Sequence, residues 1–79
     1  MYKAQYFVSN EKGGNWYNCR SDSFVDQDGE YIEVYIELYK NKDDAVQVAR
    51  ALHNLYGEEV RVVKWNRTKR KWEQLKIKF

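Results

Sequence analysis

Residues 31–39 read Tyr-Ile-Glu-Val-Tyr-Ile-Glu-Leu-Tyr, an alternation without a break. Successive side chains of a strand point to opposite faces. An extended segment therefore sorts these residues into an aliphatic row, Ile32, Val34, Ile36 and Leu38, and a second row of Tyr31, Glu33, Tyr35, Glu37 and Tyr39. The aliphatic row demands a core. In so short a chain the tyrosine and glutamate row has no evident cover, which makes Tyr31, Glu33, Tyr35, Glu37 and Tyr39 the candidate protein-binding residues: tyrosine is enriched at interface centres, and the acids can meet Arg or Lys. Alternatively, Glu33 and Glu37 pair with Arg20, Arg61 or Lys64 on neighbouring strands.

The 79 residues predict a single domain, 1–79, near the size where one core supplies only a few kcal/mol of net stability. No proline and no repeat interrupts the chain. Residues 2–9 alternate as a first strand. Gly13-Gly14 is read as the turn into a second, placing Val8 opposite Cys19 and Asn10 opposite Tyr17, with Tyr6, Val8, Tyr17 and Cys19 on one inner face. Asp28-Gly29 is a two-residue turn signal that pairs Val25 with Ile32 and Arg20 with Glu37. That register puts Ser21 and Ser23 inside and Phe24 outside, and a bulge near residues 21–24 would repair it.

A helix follows. Asn41 can cap it, Asp43 and Asp44 suit its first turn, and Gly57 stops it. Its apolar stripe is Ala45, Val48, Ala49, Leu52, Leu55 and Tyr56. The last element is a hairpin, Val60 to Trp65 and Lys71 to Phe79. Centred on Thr68-Lys69, it sets Val62 opposite Leu75, Val60 opposite Ile77, Lys64 beside Glu73 as an ion pair, and Trp65 opposite Trp72. The expected fold is α+β, in the order β-β-β-α-β-β: a five-stranded mixed sheet with one helix packed on one face. The helix should join the third and fourth strands as parallel neighbours or near neighbours.

Chemistry at side chains finds little support. The one histidine, His53, sits on the flank of the helix, and one Cys with one His cannot complete a zinc site. Asp22, Asp26 and Asp28 resemble a calcium loop only superficially, since Phe24 and Tyr35 occupy positions where oxygen ligands are needed. Gly13-Gly14 opens no helix and so cradles no phosphate. Glu33 and Glu37 share a face but lack a water-excluding pocket that would make them an acid–base pair. The chain is expected to be neither an enzyme nor a holder of metal or cofactor. A lone Cys19 suits a reducing compartment, hence a cytoplasmic expectation. No apolar run is long enough to span a bilayer.

Charge is divided along the chain. Residues 21–44 carry eight acids and two bases, and residues 60–79 carry eight bases and one acid. The two blocks could neutralise each other across one sheet, or form separate acidic and basic surfaces. In the final hairpin Trp65 and Trp72 stand on one face with Arg61 and Lys76, while Arg67, Lys69, Arg70 and Lys71 crowd the tip. Rings between cations are what a single-stranded nucleic-acid platform uses, because rings stack bases and cations neutralise phosphates. A cross-strand Trp pair also stabilises its own hairpin by roughly 0.5–1.5 kcal/mol.

The run NKDDAVQVARALHNLYGEEVRVVKW, Asn41 to Trp65, is a capped helix, glycine stop and basic strand. It resembles a unit common in small phage and mobile-element proteins, including inhibitors of bacterial defence of the anti-CRISPR type. The resemblance implies a non-enzymatic blocker that docks on a host protein or ribonucleoprotein complex. Direct nucleic-acid binding and a homodimer through the exposed sheet face stay open as alternatives.

Overall fold

The computed structural model describes residues 1–19, 28–29 and 37–79 in full, and the backbone alone at 24–25 and 31–32. Four strands form an antiparallel sheet in the order β2-β1-β5-β6: β1 (Tyr2–Val8), β2 (Asn15–Asn18), β5 (Glu59–Asn66) and β6 (Lys71–Gln74). Two short strands, β3 (Phe24–Val25) and β4 (Tyr31–Ile32), pair with each other apart from that sheet. The helix α1 (Lys42–Tyr56) packs on one face, against β1 and β5.

The α+β class and the single packed helix agree with expectation; the five-stranded mixed sheet does not. Among the described residues every ladder is antiparallel, and β1 lies between β2 and β5. The chain leaves the sheet after Cys19, whose amide donates to the Ala4 carbonyl (2.8 Å). It returns along the same edge of β1 at Tyr39, which exchanges two backbone hydrogen bonds with Tyr2 (both 2.8 Å). From there α1 carries the chain across the sheet to β5, on the other edge of β1. Tyr39 and β5 thus both run antiparallel to β1, one on each edge, instead of pairing with each other.

That bridge also reverses two assignments. Directly opposed residues of an antiparallel pair share a face. Tyr39 opposite Tyr2 therefore points toward the helix and is buried, while Leu38 is turned out and 45% exposed.

The core is built from small side chains. Ala4, Ala45, Ala49 and Val62 are fully buried, with Cys19 and Tyr39 beside them. Alanines on both elements let the helix lie close to the sheet. Tyr2, Tyr6, Val46, Val48, Leu52, Leu75, Ile77 and Phe79 close the margins. The expected stripe holds at Ala45, Val48, Ala49 and Leu52 and fails at Leu55 and Tyr56, which are 74% and 73% exposed. Both lie in the last turn, beyond Leu52, the last helical residue packed against the core.

Asn41 precedes the helix with extended backbone, but its side chain makes no capping bond and instead donates from Nδ2 to Asp44 Oδ2 (3.4 Å). At the other end Gly57 adopts φ 69° and its amide donates to the His53 carbonyl. The His53 ring meets the Glu58 carbonyl at 2.8 Å through Nδ1, so this histidine helps fasten the helix exit.

The first hairpin turns earlier than Gly13-Gly14 predicts. Tyr6 pairs with Tyr17 and Val8 with Asn15, because Asn10 makes the turn: its carbonyl accepts from Gly13 (3.1 Å) and its Oδ1 from Lys12 (2.9 Å). The partner of each β1 residue moves by four positions. An even shift leaves every side chain on its expected face, so Tyr6, Tyr17 and Cys19 still lie together. Between β3 and β4 the shift is odd: Phe24 pairs with Ile32 and Val25 with Tyr31. The slip gives Phe24 an aliphatic partner in register, and Gly29, at φ 80°, lies in a longer loop than the two-residue turn expected. The Arg20–Glu37 pairing, the inward placement of Ser21 and Ser23 and the bulge near residues 21–24 lie outside the described residues.

The last hairpin follows its predicted register. Lys64 pairs with Glu73 and Trp65 with Trp72, and the Leu75 amide reaches the Val62 carbonyl. As a strand, β6 ends at Gln74 instead of Phe79. Glu73 meets Lys69 (3.8 Å) and accepts from Asn66 Nδ2 (2.7 Å), where an ion pair with Lys64 was expected.

Candidate nucleic-acid interface

With α1 on one face, the opposite face of the four-stranded sheet has no described element packed on it. Alternation assigns its side chains. On β1 these are Lys3, Gln5 and Phe7; on β2, Trp16 and Asn18; on β5, Arg61, Val63 and Trp65; on β6, Trp72 and Gln74. All three tryptophans of the chain share this face.

They form two aromatic corners. Phe7 and Trp16 are cross-strand partners with ring centroids 5.2 Å apart and planes tilted by 57°. Trp65 and Trp72 are partners at 5.4 Å and 58°. The first corner lies at the Phe7 end of β1, and the second at the Met1 end, where the Trp65 amide bonds to the Met1 carbonyl. At ~3.4 Å per strand residue the corners are separated by about 20 Å along the sheet.

Each corner carries a cation. Arg61 Cζ sits 4.2 Å from the Trp16 ring centroid and Lys3 Nζ 4.6 Å from that of Trp72. Between them runs a polar row. Arg61 Nε donates to Gln5 Oε1 (2.8 Å), and Gln5 Nε2 donates to Asn18 Oδ1 (2.9 Å). Partial burial lowers the pKa of the Arg61 guanidinium from its ordinary value, which still leaves it a cation at neutral pH.

The tip of the last hairpin is held by Asn66. Its Oδ1 accepts from the amides of Thr68 and Lys69 (3.0 Å each) while its Nδ2 clamps Glu73. Arg70 turns the chain with φ 52°. Arg67, Lys69, Arg70 and Lys71 are all exposed around this rigid turn. Lys69 shares its charge with Glu73, an exposed pair worth little to stability. Lys76 is exposed beyond the end of β6.

The predicted basic set is divided along one face: Trp65 and Trp72 lie next to the cations of the tip, while Arg61 stands at the other corner, over Trp16. The tyrosine row is not gathered. Tyr39 is in the core, Glu37 is half-buried beside Cys19 and Leu52, and Glu33, Tyr35 and the Tyr31 side chain lie outside the described residues. Phe7, Trp16, Lys3, Gln5 and Asn18 were missed as members of the site. Alternation already placed Phe7 opposite to Tyr6, so the missing signal was the pairing of β1 with β5, which joins the two hairpins into one surface.

On the helix side, a groove of about 650 Å³ runs between β2 and the second half of α1. Tyr6, Tyr17, Val48, Leu52 and Tyr56 line it, with Glu37 and Glu58 among its polar residues. Burial pushes the Cys19 thiol in its wall up to about 11, so it is no nucleophile near neutral pH. Among the described residues no group of His, Cys, Asp and Glu could hold a metal ion, and no helix is long and apolar enough to cross a membrane.

Comparisons of the chain with protein-family models, with curated proteins and with solved structures returned no match.

Proposed function

We propose that this chain is a small non-enzymatic binding domain whose open sheet face takes single-stranded nucleic acid. One observation carries the reading. Three tryptophans and a phenylalanine stand, in two pairs, on one face that no described element covers, each pair beside a cation, next to a hydrogen-bonded tip with four exposed basic residues. Unstacked bases lie on such rings whatever their sequence, and the flanking cations neutralise phosphates. A hairpin-stabilising role accounts for each pair within its own hairpin. It does not require the cation beside each pair or the four cations crowded at the tip.

The test is fluorescence anisotropy with a labelled twelve-nucleotide single strand over a range of salt. Affinity should fall steeply as salt rises, and Arg67→Ala with Arg70→Ala should reduce the slope of log K against log salt by roughly 1.4, from about 0.7 per lost contact. Absence of binding at low salt would end this reading.

A second reading, a blocker of a host complex of the anti-CRISPR type acting by protein contact, is favoured by a different feature. Tyr17 and Tyr56 are exposed in the lining of the helix-side groove, and Leu55, next to Tyr56 in the last helical turn, is exposed as well. Of the tyrosine and glutamate row only Glu37 reaches that groove among the described residues. A host partner retained by wild type and lost by Leu55→Ser with Tyr56→Ser would support it. Equal retention by both would count against the groove.

A further inference from the structure

The polar row between the two aromatic corners has a direction, and Arg61 sets it. A guanidinium carries donors and no acceptor, so the Gln5 atom facing Arg61 Nε must be the amide oxygen. The Gln5 amide nitrogen is then the atom that faces Asn18, and it can only donate, so Asn18 must present its oxygen to Gln5. Each side-chain amide oxygen thereby spends one of its two acceptor positions within the row. Most of what remains for a ligand is donors: the Asn18 Nδ2 group, the second Gln5 Nε2 hydrogen and the terminal amines of Arg61. Among the described residues no further partner takes the Arg61 amines.

The row is also held in place. Arg61 lies over Trp16, its Nε is fixed by Gln5, and Gln5 is fixed in turn by Asn18. All three side chains are half-buried, at the level of the rings, whereas the cations of the tip are exposed. A strand whose bases stack on the two corners brings base edges, not phosphates, to the level of this row. A donor-rich row suits an edge with two adjacent acceptors. In a single strand both base edges are open: guanine offers O6 and N7 together and cytosine N3 and O2, whereas adenine sets its N6 donor between N7 and N1, and thymine its N3 donor between O4 and O2. The guanidinium fork is matched to the guanine pair, the commonest specific contact of Arg with a base.

Resting on the nucleic-acid reading above, we propose that Gln5, Asn18 and Arg61 form a base-reading row that selects guanine in a single strand bound across the open sheet face, with the Arg61 fork as the group that reads O6 and N7.

The experiment compares three eight-nucleotide dA strands that differ only at one central position, carrying dG, dA or 7-deaza-dG, which lacks the N7 acceptor. The row predicts about tenfold tighter binding of the dG strand than of the dA strand, the scale of a bidentate contact. Most of that preference should be lost with 7-deaza-dG. Arg61→Lys should bring the dG to dA affinity ratio close to one, whatever its overall affinity, because an ammonium has no fork. Asn18→Asp, on the half-exposed edge strand, replaces a displayed donor by an acceptor while still accepting from Gln5, and should likewise collapse the ratio. Equal affinities for the three strands with the wild-type protein would overturn the row as a reader, as would a dG preference that survives in both variants. No binding of any strand would instead overturn the nucleic-acid reading beneath it.

Discussion

The two faces of the four-stranded sheet are built on opposite plans. The face under the helix is closed by the smallest side chains available, Ala4, Ala45, Ala49 and Val62, all without exposed surface. The face away from the helix carries the largest, Phe7, Trp16, Trp65 and Trp72, none of them fully buried. In a chain held only by packing, with its single cysteine unpaired, the reverse would be expected of sequence chosen for stability alone, since large rings buried in a core remove the most apolar area from water. The helix side supplies the fold. The ring side is the face to which we assign the proposed ligand.

Changes on the helix face should therefore alter stability and spare binding by the folded fraction. The largest effect is expected for Ala49→Leu, which inserts a branched side chain where no space is left and should cost up to about 3 kcal/mol in urea unfolding. Binding that also fails in the folded variant would break the contrast between the faces.

Next in size is Gly14→Ala. Gly14 has φ 136°, and a Cβ there would come within 2.5 Å of both Phe7 Cζ and the Val8 carbonyl oxygen. About 2 kcal/mol of destabilisation is expected from the backbone conformation and contact together, and near-ultraviolet circular dichroism should report displacement of the Phe7 and Trp16 rings. An unchanged aromatic spectrum would separate that turn from the ring corner.

Cys19 supplies a pH test of the helix face. An unfolded chain releases its thiol proton near 9, the folded chain only near about 11. Between those values the unfolded state binds fewer protons, so wild-type stability should fall as pH rises, with a slope of at most ~1.4 kcal/mol per pH unit. Measured against Cys19→Ala, the difference should be flat below pH 9. The same slope in both proteins would place its origin elsewhere.

The smallest stability change belongs to the ring face. Trp72→Ala should lose about 0.5–1.5 kcal/mol of folding free energy from the ring pair beyond the ring's own partial burial, while weakening oligonucleotide binding by roughly 1–3 kcal/mol. A large loss of stability with unchanged affinity would make the pair structural.

How far the sequence was legible depended on how local the decisive contact was. Strands β5 and β6 are joined by a turn that Asn66 closes, and cross-strand pairs chosen from sequence alone match the observed register. The helix between Asn41 and Gly57 was equally readable, because its periodicity and its glycine stop are local, apart from a last turn that outruns the sheet and an Asn41 side chain that makes no capping bond. In the first hairpin, the paired glycines drew the turn centre two positions too late, since Asn10 decides it. The segment 31–39 misled for a different reason. Its alternation is real, but the face of Tyr39 is set by a bridge to Tyr2, at the far end of the chain, and that bridge puts a tyrosine where the pattern predicts Leu38. The same non-local arrangement, β1 between β2 and β5, is what gathers Trp16 with Trp65 and Trp72. No spacing within either hairpin announces it.

The central claim, that the open ring face is the binding surface, is tested most directly by the indole N–H signals of Trp16, Trp65 and Trp72 in a ¹⁵N-labelled sample titrated with an unlabelled single-stranded oligonucleotide. All three should shift together and saturate with one affinity, while the backbone amides of Ala45 and Ala49 under the sheet stay in place. Indoles that do not move at low salt, or shifts confined to the helix and its groove, would contradict the account.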